Sequence, residues 1–447
     1  MRKVLIITDS PDVNWGELIP KPDKNNQYFL HSINVSTENV LQVIQKNTLH
    51  KDLNISVIDT LKKNQLAEKE ARDYYLKLIK DLPEKKIFNR RTISELLTIN
   101  GRNYWWYLPI SEKNIWLDKS IHRFFEIKRL QHILNNHVYD KMICFLDDDI
   151  LQSSFQQMAA QKKIIIFIHT AKHRKTQGCF AVLIFCFTYF MNYFKAIISL
   201  YIKKIFVLNS RTNNSLDIVN GTIGFFSFFP VFWKEIDTDQ PKDIFFNKIP
   251  DEIEKTNQVL HLIWLSSLKK IILIKNWLRQ LKKNKNTYVL ENGINFNDIV
   301  SLHSLVLFKA LLSILINKKK VNISEIDGIK IDDIVYDEFY RSFSSPTFFQ
   351  ALLIDKALQK IPLDKCSLLF FRLEFQPFER AILYNTNNKV KTIGFQHSAL
   401  SKNFLNYIFV KDELKGHWNN RSDSISMPLP DYIFTSGSTG FDYMVEA

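Results

Sequence analysis

Short apolar runs that each break off into a polar cluster recur along this chain, and few folds accommodate such a pattern. Ser367 to Phe371 leads into Arg372 and Glu374, after which a helix is predicted to open near Pro377. Lys391 to Phe395 delivers Gln396, His397 and Ser398, and Tyr432 to Phe434 ends in Thr-Ser-Gly-Ser-Thr-Gly before another helix. Continuous apolar runs of this length suit strands buried on both faces of a parallel sheet. Polar residues gathered at the carboxyl ends of such strands are where open α/β sheets bind ligands. The first half repeats the pattern. Lys3 to Thr8 precedes Asp9, Ser10 and Pro11; Lys141 to Leu146 precedes Asp147-Asp148-Asp149; Lys163 to Ile168 precedes His169 and Thr170; Lys204 to Leu208 precedes Asn209 and Ser210. Four runs separated by helical stretches predict an α/β fold, with a Rossmann-like parallel sheet covered by helices on both faces.

A chain of 447 residues with 46% hydrophobic content can fill large cores, which excludes a disordered protein. The net charge of +14 favours anionic partners such as sugar nucleotides, phosphorylated lipids or an anionic membrane surface. Nucleic acid is not expected as a partner. The segment Lys269 to Lys283 is basic, yet cations are scattered along the whole chain and no nucleic-acid-binding module is evident. Cys144, Cys179, Cys186 and Cys366 are widely spaced without CxxC pairs, which fits reduced core thiols. With no secretory signal at the amino terminus, a cytoplasmic protein is expected, peripheral on the inner membrane.

All of 1–447 is read as one domain, with helical insertions at about 60–136 and 178–202. Within the first insertion Ala67 to Asp81 and Ile121 to Asn136 have helical periodicity, and Asn103 to Ile110 gathers four aromatics that either pack the insertion or stack on sugar or lipid. Cys179 to Ile202 is the most apolar stretch; Thr188, Asn192 and Lys195 interrupt it, so a buried or interfacial helix is expected in preference to a membrane span. Leu260 to Leu265 and Thr287 to Leu290 read as strands, Asp298 to Ile316 as a helix, and Val321 to Asp337 as a loop or edge strand.

Glu374, just past a buried strand and ahead of Pro377, is placed either to act as a general base or to meet the dipole of the following helix, with Glu379 and Arg380 as a solvated or paired face. His397 holds the same position one strand later. The small residues around Ser436 offer backbone N–H groups to an anion or simply connect strand to helix. Asp147-Asp148-Asp149 either binds a divalent metal, as in the Asp-x-Asp sites of GT-A glycosyltransferases, or supplies an N-cap.

The segments RLEFQPFERA, IGFQHSAL and MPLPDYIFTSG, in this order, resemble the bacterial surface-carbohydrate (O-antigen or capsule) biosynthesis glycosyltransferases of the GT-B type, and more distantly the Kdo transferases. The resemblance covers about Ser367 to Ala447. It implies two Rossmann-like domains, a nucleotide-sugar donor held chiefly by the second, a lipid-linked or glycan acceptor held chiefly by the first, and neither metal nor other cofactor. On that resemblance Glu374 and His397 are catalytic candidates and Glu379, Arg380, Gln396, Ser398 and Ser436 substrate-binding ones; from their places at strand ends Asp9 joins the catalytic candidates, and Ser10 and Arg372 the substrate-binding ones. The motifs match elements that close the first domain of the family, so the chain is expected to be an acceptor-side domain whose donor domain would follow Ala447.

Overall fold

The computed structural model describes residues 2–10, 26–33, 36–46, 55–58, 61–88, 91–114, 118–169, 179–208, 218–235, 241–266, 276–281, 286–295, 297–299, 305–316, 324–386, 390–396, 404–411, 413–414 and 426–446. The chain expected as one domain divides into two compact units: Met1–Leu78, Lys119–Ala181 and Lys318–Glu338 form the first, and Ile79–Asp118, Val182–Asn317 and Phe339–Ala447 the second. Each is built on its own parallel sheet.

In the first unit the strands are Lys3–Thr8 (β1), Gln27–Ser32 (β2), Ile55–Val57 (β3), Lys141–Phe145 (β4) and Ile165–His169 (β5), and the helices include Thr37–Lys46 (α1), Leu61–Asp81 (α2, whose last turn lies in the second unit), Ser120–Asn136 (α3) and Asp149–Gln161 (α4). The sheet order is β3-β2-β1-β4-β5 and every pair is parallel. Val4 and Ile6 pack with Tyr28, Leu30, Ile143 and Phe145 against Val40 and Ile44 of α1. Leu5 and Ile7, pointing the other way, are equally buried. Burial on both faces is why β1 reads as an unbroken apolar run. Where Val321 to Asp337 was expected as a loop or edge strand, Glu325–Ile326 and Ile329–Lys330 form a hairpin across Asp327 and Gly328, both at positive φ, and a helix follows over Asp332–Phe343.

The second unit contains all but the first three residues of the long helix Cys179–Leu208 (α5). Lys204 to Leu208, expected as a strand, is the last turn of this helix, because a short apolar run cannot be told from a segment of apolar helix by its periodicity alone. The sheet strands are Thr222–Phe229 (β6), Val259–Leu265 (β7), Thr287–Val289 (β8), Cys366–Leu373 (β9), Lys391–Gln396 (β10) and Tyr432–Phe434 (β11), with helices Leu305–Ile316 (α6), Pro346–Leu358 (α7), Pro377–Thr386 (α8) and Ser438–Glu446 (α9). Their order is β8-β7-β6-β9-β10-β11, so the strands of this unit run 3-2-1-4-5-6 in chain order, the arrangement of a doubly wound Rossmann-like sheet. The first unit runs 3-2-1-4-5. In both, the chain reverses its direction of travel across the sheet between strand 1 and strand 4.

Phenylalanines tie the sheet of the second unit together. Phe225, Phe370, Phe395 and Phe434 form a ladder across four adjacent strands, with successive ring centroids 4.8, 5.8 and 5.1 Å apart. On the other face Phe378 of α8 packs on Phe226 and Phe228 at 6.0 and 4.6 Å. Asp431 joins β10 to the start of β11: its Oδ2 accepts from the Thr392 backbone N–H (2.7 Å) and hydroxyl (2.9 Å), and its own N–H donates to Thr392 Oγ1 (3.0 Å). Thr392 is fully buried, so Asp431→Ala leaves buried donors unpaired and is expected to lower unfolding free energy by about 1–3 kcal/mol in urea titrations. An unchanged midpoint would deny the clasp its role.

Candidate active site at the carboxyl edge of the second sheet

β9 ends at Leu373 and α8 begins at Pro377, which leaves Glu374, Phe375 and Gln376 to turn the chain at the switch point beside β6. Phe375 makes the turn with φ +57, an uncommon conformation for a bulky side chain. Its buried ring is held between Tyr407 and Phe409, at 5.6 and 5.1 Å. The third residue of α8, Glu379, folds back and accepts from the backbone N–H of Glu374 (3.0 and 2.8 Å) and of Gln376 (3.1 Å). Glu379 was read as a solvated or paired residue and as a substrate ligand; it is fully buried, and both of its oxygens are engaged in holding this loop.

That arrangement presents the Glu374 carboxylate to two neighbours. Gln376 Nε2 donates to its Oε2 at 3.0 Å, and the Arg372 guanidinium lies 3.6 Å from the same oxygen while stacking over Phe232 at 4.7 Å. Arg380, one position beyond Glu379, is buried as well. It donates to the Trp106 carbonyl (3.0 Å), to the Ser111 carbonyl (2.9 Å) and to the Ser111 hydroxyl, and its guanidinium lies 5.2 Å from the Trp106 ring centre. Of the aromatic segment, Trp105 and Tyr107 are core, as the packing reading expected, and Trp106 meets Arg380.

Glu112 completes the charged group, and no local pattern marks it for that place. One of its oxygens accepts from Asn114 Nδ2 at 2.8 Å; the other is buried with no hydrogen-bond partner among the described residues. Burial pushes its pKa up to about 7, against the fields of Arg380 and Arg372 and with that of Glu374. Burial likewise raises Glu379 to about 8 and lowers Arg380 to about 10. A third buried carboxyl at this edge, Glu291, follows β8, accepts from the Leu265 N–H at 2.8 Å, and is raised to about 7 by burial.

These shifts set the direction of the pH dependence. With unfolded values near 4.5, the folded form binds more protons than the unfolded one between about pH 4.5 and 7–8, so the stability these groups contribute is lost as pH rises through that window. Glu112→Gln keeps the shape of the protonated form. It is expected to gain roughly 3 kcal/mol on wild type between pH 4.5 and 8.5, measured by denaturant titration at both. A difference from wild type that is the same at the two pH values would show that Glu112 ionises normally.

Beside this group lies a cavity of about 460 Å³ lined by Trp106, Lys113, Arg380, Asn406, Phe409 and Glu413, among others. Asn406 Nδ2 also donates to the Glu374 carbonyl at 3.2 Å, so the cavity shares a wall with the Glu374 loop. Lys113, at φ +58, has its ammonium 2.5 Å from Glu413 and 4.4 Å from the Phe409 ring centre. Two residues in left-handed backbone, Lys113 and Phe375, thus converge on Phe409. At the ends of β10 and β11, Gln396 Oε1 accepts from the Ser436 N–H at 3.2 Å, which brings these two sequence motifs together and engages that N–H within the protein. Gly440 makes room for the contact: a Cβ there would lie 2.2 Å from Gln396 Oε1. His397 and Ser398 lie outside the described residues.

Asp9 and Ser10 belong to the first unit, at its own switch point between β1 and β4. Asp9 Oδ2 accepts from the Asp147 N–H at 2.8 Å, and burial raises its pKa. The Ser10 N–H donates to Thr8 Oγ1 at 3.2 Å, and the Thr8 hydroxyl donates back to the Ser10 carbonyl at 2.7 Å. Asp148 takes the N-cap role: it accepts from the Ile150 and Leu151 N–H groups, both at 3.1 Å, and pairs with Arg123 Nε at 2.8 Å. Among the described residues no group of three or more His, Cys, Asp or Glu side chains is placed to hold a metal ion. The same edge carries a buried His31–Glu126 contact of 3.3 Å that no sequence signal marked.

The fold and the site define an α/β protein with two Rossmann-like parallel sheets, each with polar and charged groups at its switch point. No protein-family model, curated protein or solved structure matches the chain.

Proposed function

We propose that this protein is a glycosyltransferase of the GT-B type in bacterial surface-carbohydrate biosynthesis, moving a sugar from a nucleotide donor to a hydroxyl of a lipid-linked or glycan acceptor. The observation that carries the reading is the placement of Arg372, Glu374 and Arg380 at the switch point of a doubly wound sheet, next to a cavity walled by Trp106 and Phe409. Aromatic faces suit the C–H surfaces of sugars. The motifs that carry the resemblance lie on the second of the two sheets, where the resemblance expected the close of a first domain.

In this mechanism the Glu374 carboxylate orients the acceptor hydroxyl and takes its proton as the new bond to the anomeric carbon forms, while the nucleoside diphosphate leaves with the electron pair of the broken bond. Arg372, 3.6 Å from the carboxylate, helps to hold it in position before attack. Lys113 and Arg380 supply positive charge at the cavity wall for an anionic portion of a substrate. The test is release of nucleotide from UDP-, GDP- and CMP-linked sugars by the purified protein, together with calorimetric binding of the same compounds. Turnover of at least one donor is expected. A folded protein that neither binds nor turns over any of the three classes overturns the reading.

A further inference from the structure

The long helix α5 divides lengthwise. On one side Phe185, Tyr189 and Leu200 are at most 1% exposed, Tyr189 packing on Phe349 at 5.1 Å and on Phe308 of α6 at 5.2 Å. Asn192 Nδ2 donates to the Ser344 carbonyl (2.7 Å) and the Tyr193 hydroxyl to the Ile299 carbonyl (2.8 Å), fastening the same side to the protein. The opposite side is open: Leu183, Phe187, Met191, Phe194, Ile198 and Ile205 are between 41 and 68% exposed. Their spacing of three, four and seven residues puts them on one stripe, about 100° wide. Neighbouring α6 exposes Val306 and Ile316 at its two ends. Among the described residues, 11% of the apolar stretch within Val182–Ile205 is buried, and the stripe itself is open to solvent.

The segments that carry these two helices hold charges of one sign, although Lys203 of α5 pairs with the buried Glu291 at 3.7 Å. Between Asp149 and Asp217 the sequence contains no acidic residue, and between Asp298 and Glu325 it again contains none, while lysines recur in both segments. Lys195 and Lys309 are exposed on α5 and α6, and Lys195 follows Phe194 at the margin of the stripe. A second copy of the chain would set these lysines against their like. A span across a bilayer would have to pull Phe185 and Tyr189 out of the core and break the hydrogen bonds of Asn192 and Tyr193. An anionic lipid surface satisfies both features, taking the apolar stripe between its acyl chains and the lysines among its headgroups.

We propose that the open face of α5, flanked by α6, docks this protein onto an anionic phospholipid bilayer, with α5 lying in the plane of the interface for roughly 33 Å. The proposal stands on this surface alone and goes beyond the catalytic reading.

Co-sedimentation of the full chain with vesicles of phosphatidylcholine alone, and of phosphatidylcholine mixed with phosphatidylglycerol, tests it. Binding to the mixed vesicles that falls with added salt and is weak on phosphatidylcholine is expected. Phe187→Ser/Phe194→Ser/Ile198→Ser should weaken that binding by about tenfold or more with an unchanged melting curve, and Lys195→Glu/Lys309→Glu should do so on the anionic vesicles. Any of four results overturns it: no binding to either vesicle; wild-type binding by the triple serine variant; a wild-type dimer that this variant dissociates without any vesicle binding; or membrane-bound protein that resists extraction by alkaline carbonate, which would indicate a span.

Discussion

Glutamine in place of Glu374 is expected to slow sugar transfer by about 10²–10⁴-fold, the range over which a positioned general base contributes, while the protein stays folded. The substitution is conservative in shape. The loop that carries residue 374 is set by main-chain contacts, from Glu379 to the N–H groups of 374 and 376 and from Asn406 to the carbonyl of 374, and an amide at this position leaves them in place. The amide oxygen can still accept from Gln376. What is lost is the capacity to take a proton and the attraction to Arg372. The fall should therefore appear in kcat, with little change in KM for the donor and in melting temperature. Turnover at the wild-type rate would remove Glu374 from the chemistry and leave it as a loop residue.

The position of Glu374 was legible in the sequence because it follows from chain topology: an unbroken apolar strand, a polar residue and then a proline opening a helix is a local pattern. Gln396 and Ser436 were legible for the same reason, each at the end of its strand. Strand order was not, because pairing is decided by contacts between residues far apart in the chain. Thr222–Phe229 carried no expectation, although it is strand 1 of the second sheet and makes the switch point what it is. Its run of four phenylalanines follows a stretch with little pattern of its own. Lys204 to Leu208 failed in the opposite sense, since five apolar residues read equally well as a strand or as the end of a longer helix. Glu112 lay beyond sequence reasoning altogether. Its burial depends on Ser111 meeting Arg380 from a distant part of the chain, and nothing local separates it from an exposed glutamate. The left-handed turns at Phe375 and Lys113 are likewise imposed from outside, by packing on Phe409, where a local rule would have asked for glycine or asparagine.

Methionine in place of Arg380 is expected to lower unfolding free energy by about 3–5 kcal/mol, as removal of one member of a buried charged group does. The side chain is 3% exposed, and its guanidinium meets the Trp106 carbonyl, the Ser111 carbonyl and hydroxyl, and the field of Glu112. Methionine fills a similar volume but donates nothing, so three acceptors lose a donor and Glu112 loses a compensating charge. These two contributions separate with pH. The lost hydrogen bonds weigh equally at all pH values. The lost compensation matters where Glu112 would ionise, above its pKa of about 7, so the deficit should be larger at pH 8.5 than at pH 5. Adding Glu112→Gln should then restore part of the stability at pH 8.5 and little at pH 5, with a coupling of about 0.5–3 kcal/mol at the higher pH. Deficits that are equal at both pH values and indifferent to Glu112→Gln would mean that Arg380 is held in place by the Trp106 and Ser111 carbonyls alone. In that case the carboxyl of Glu112 draws its charge balance from Arg372, and the charged group splits into two independent halves.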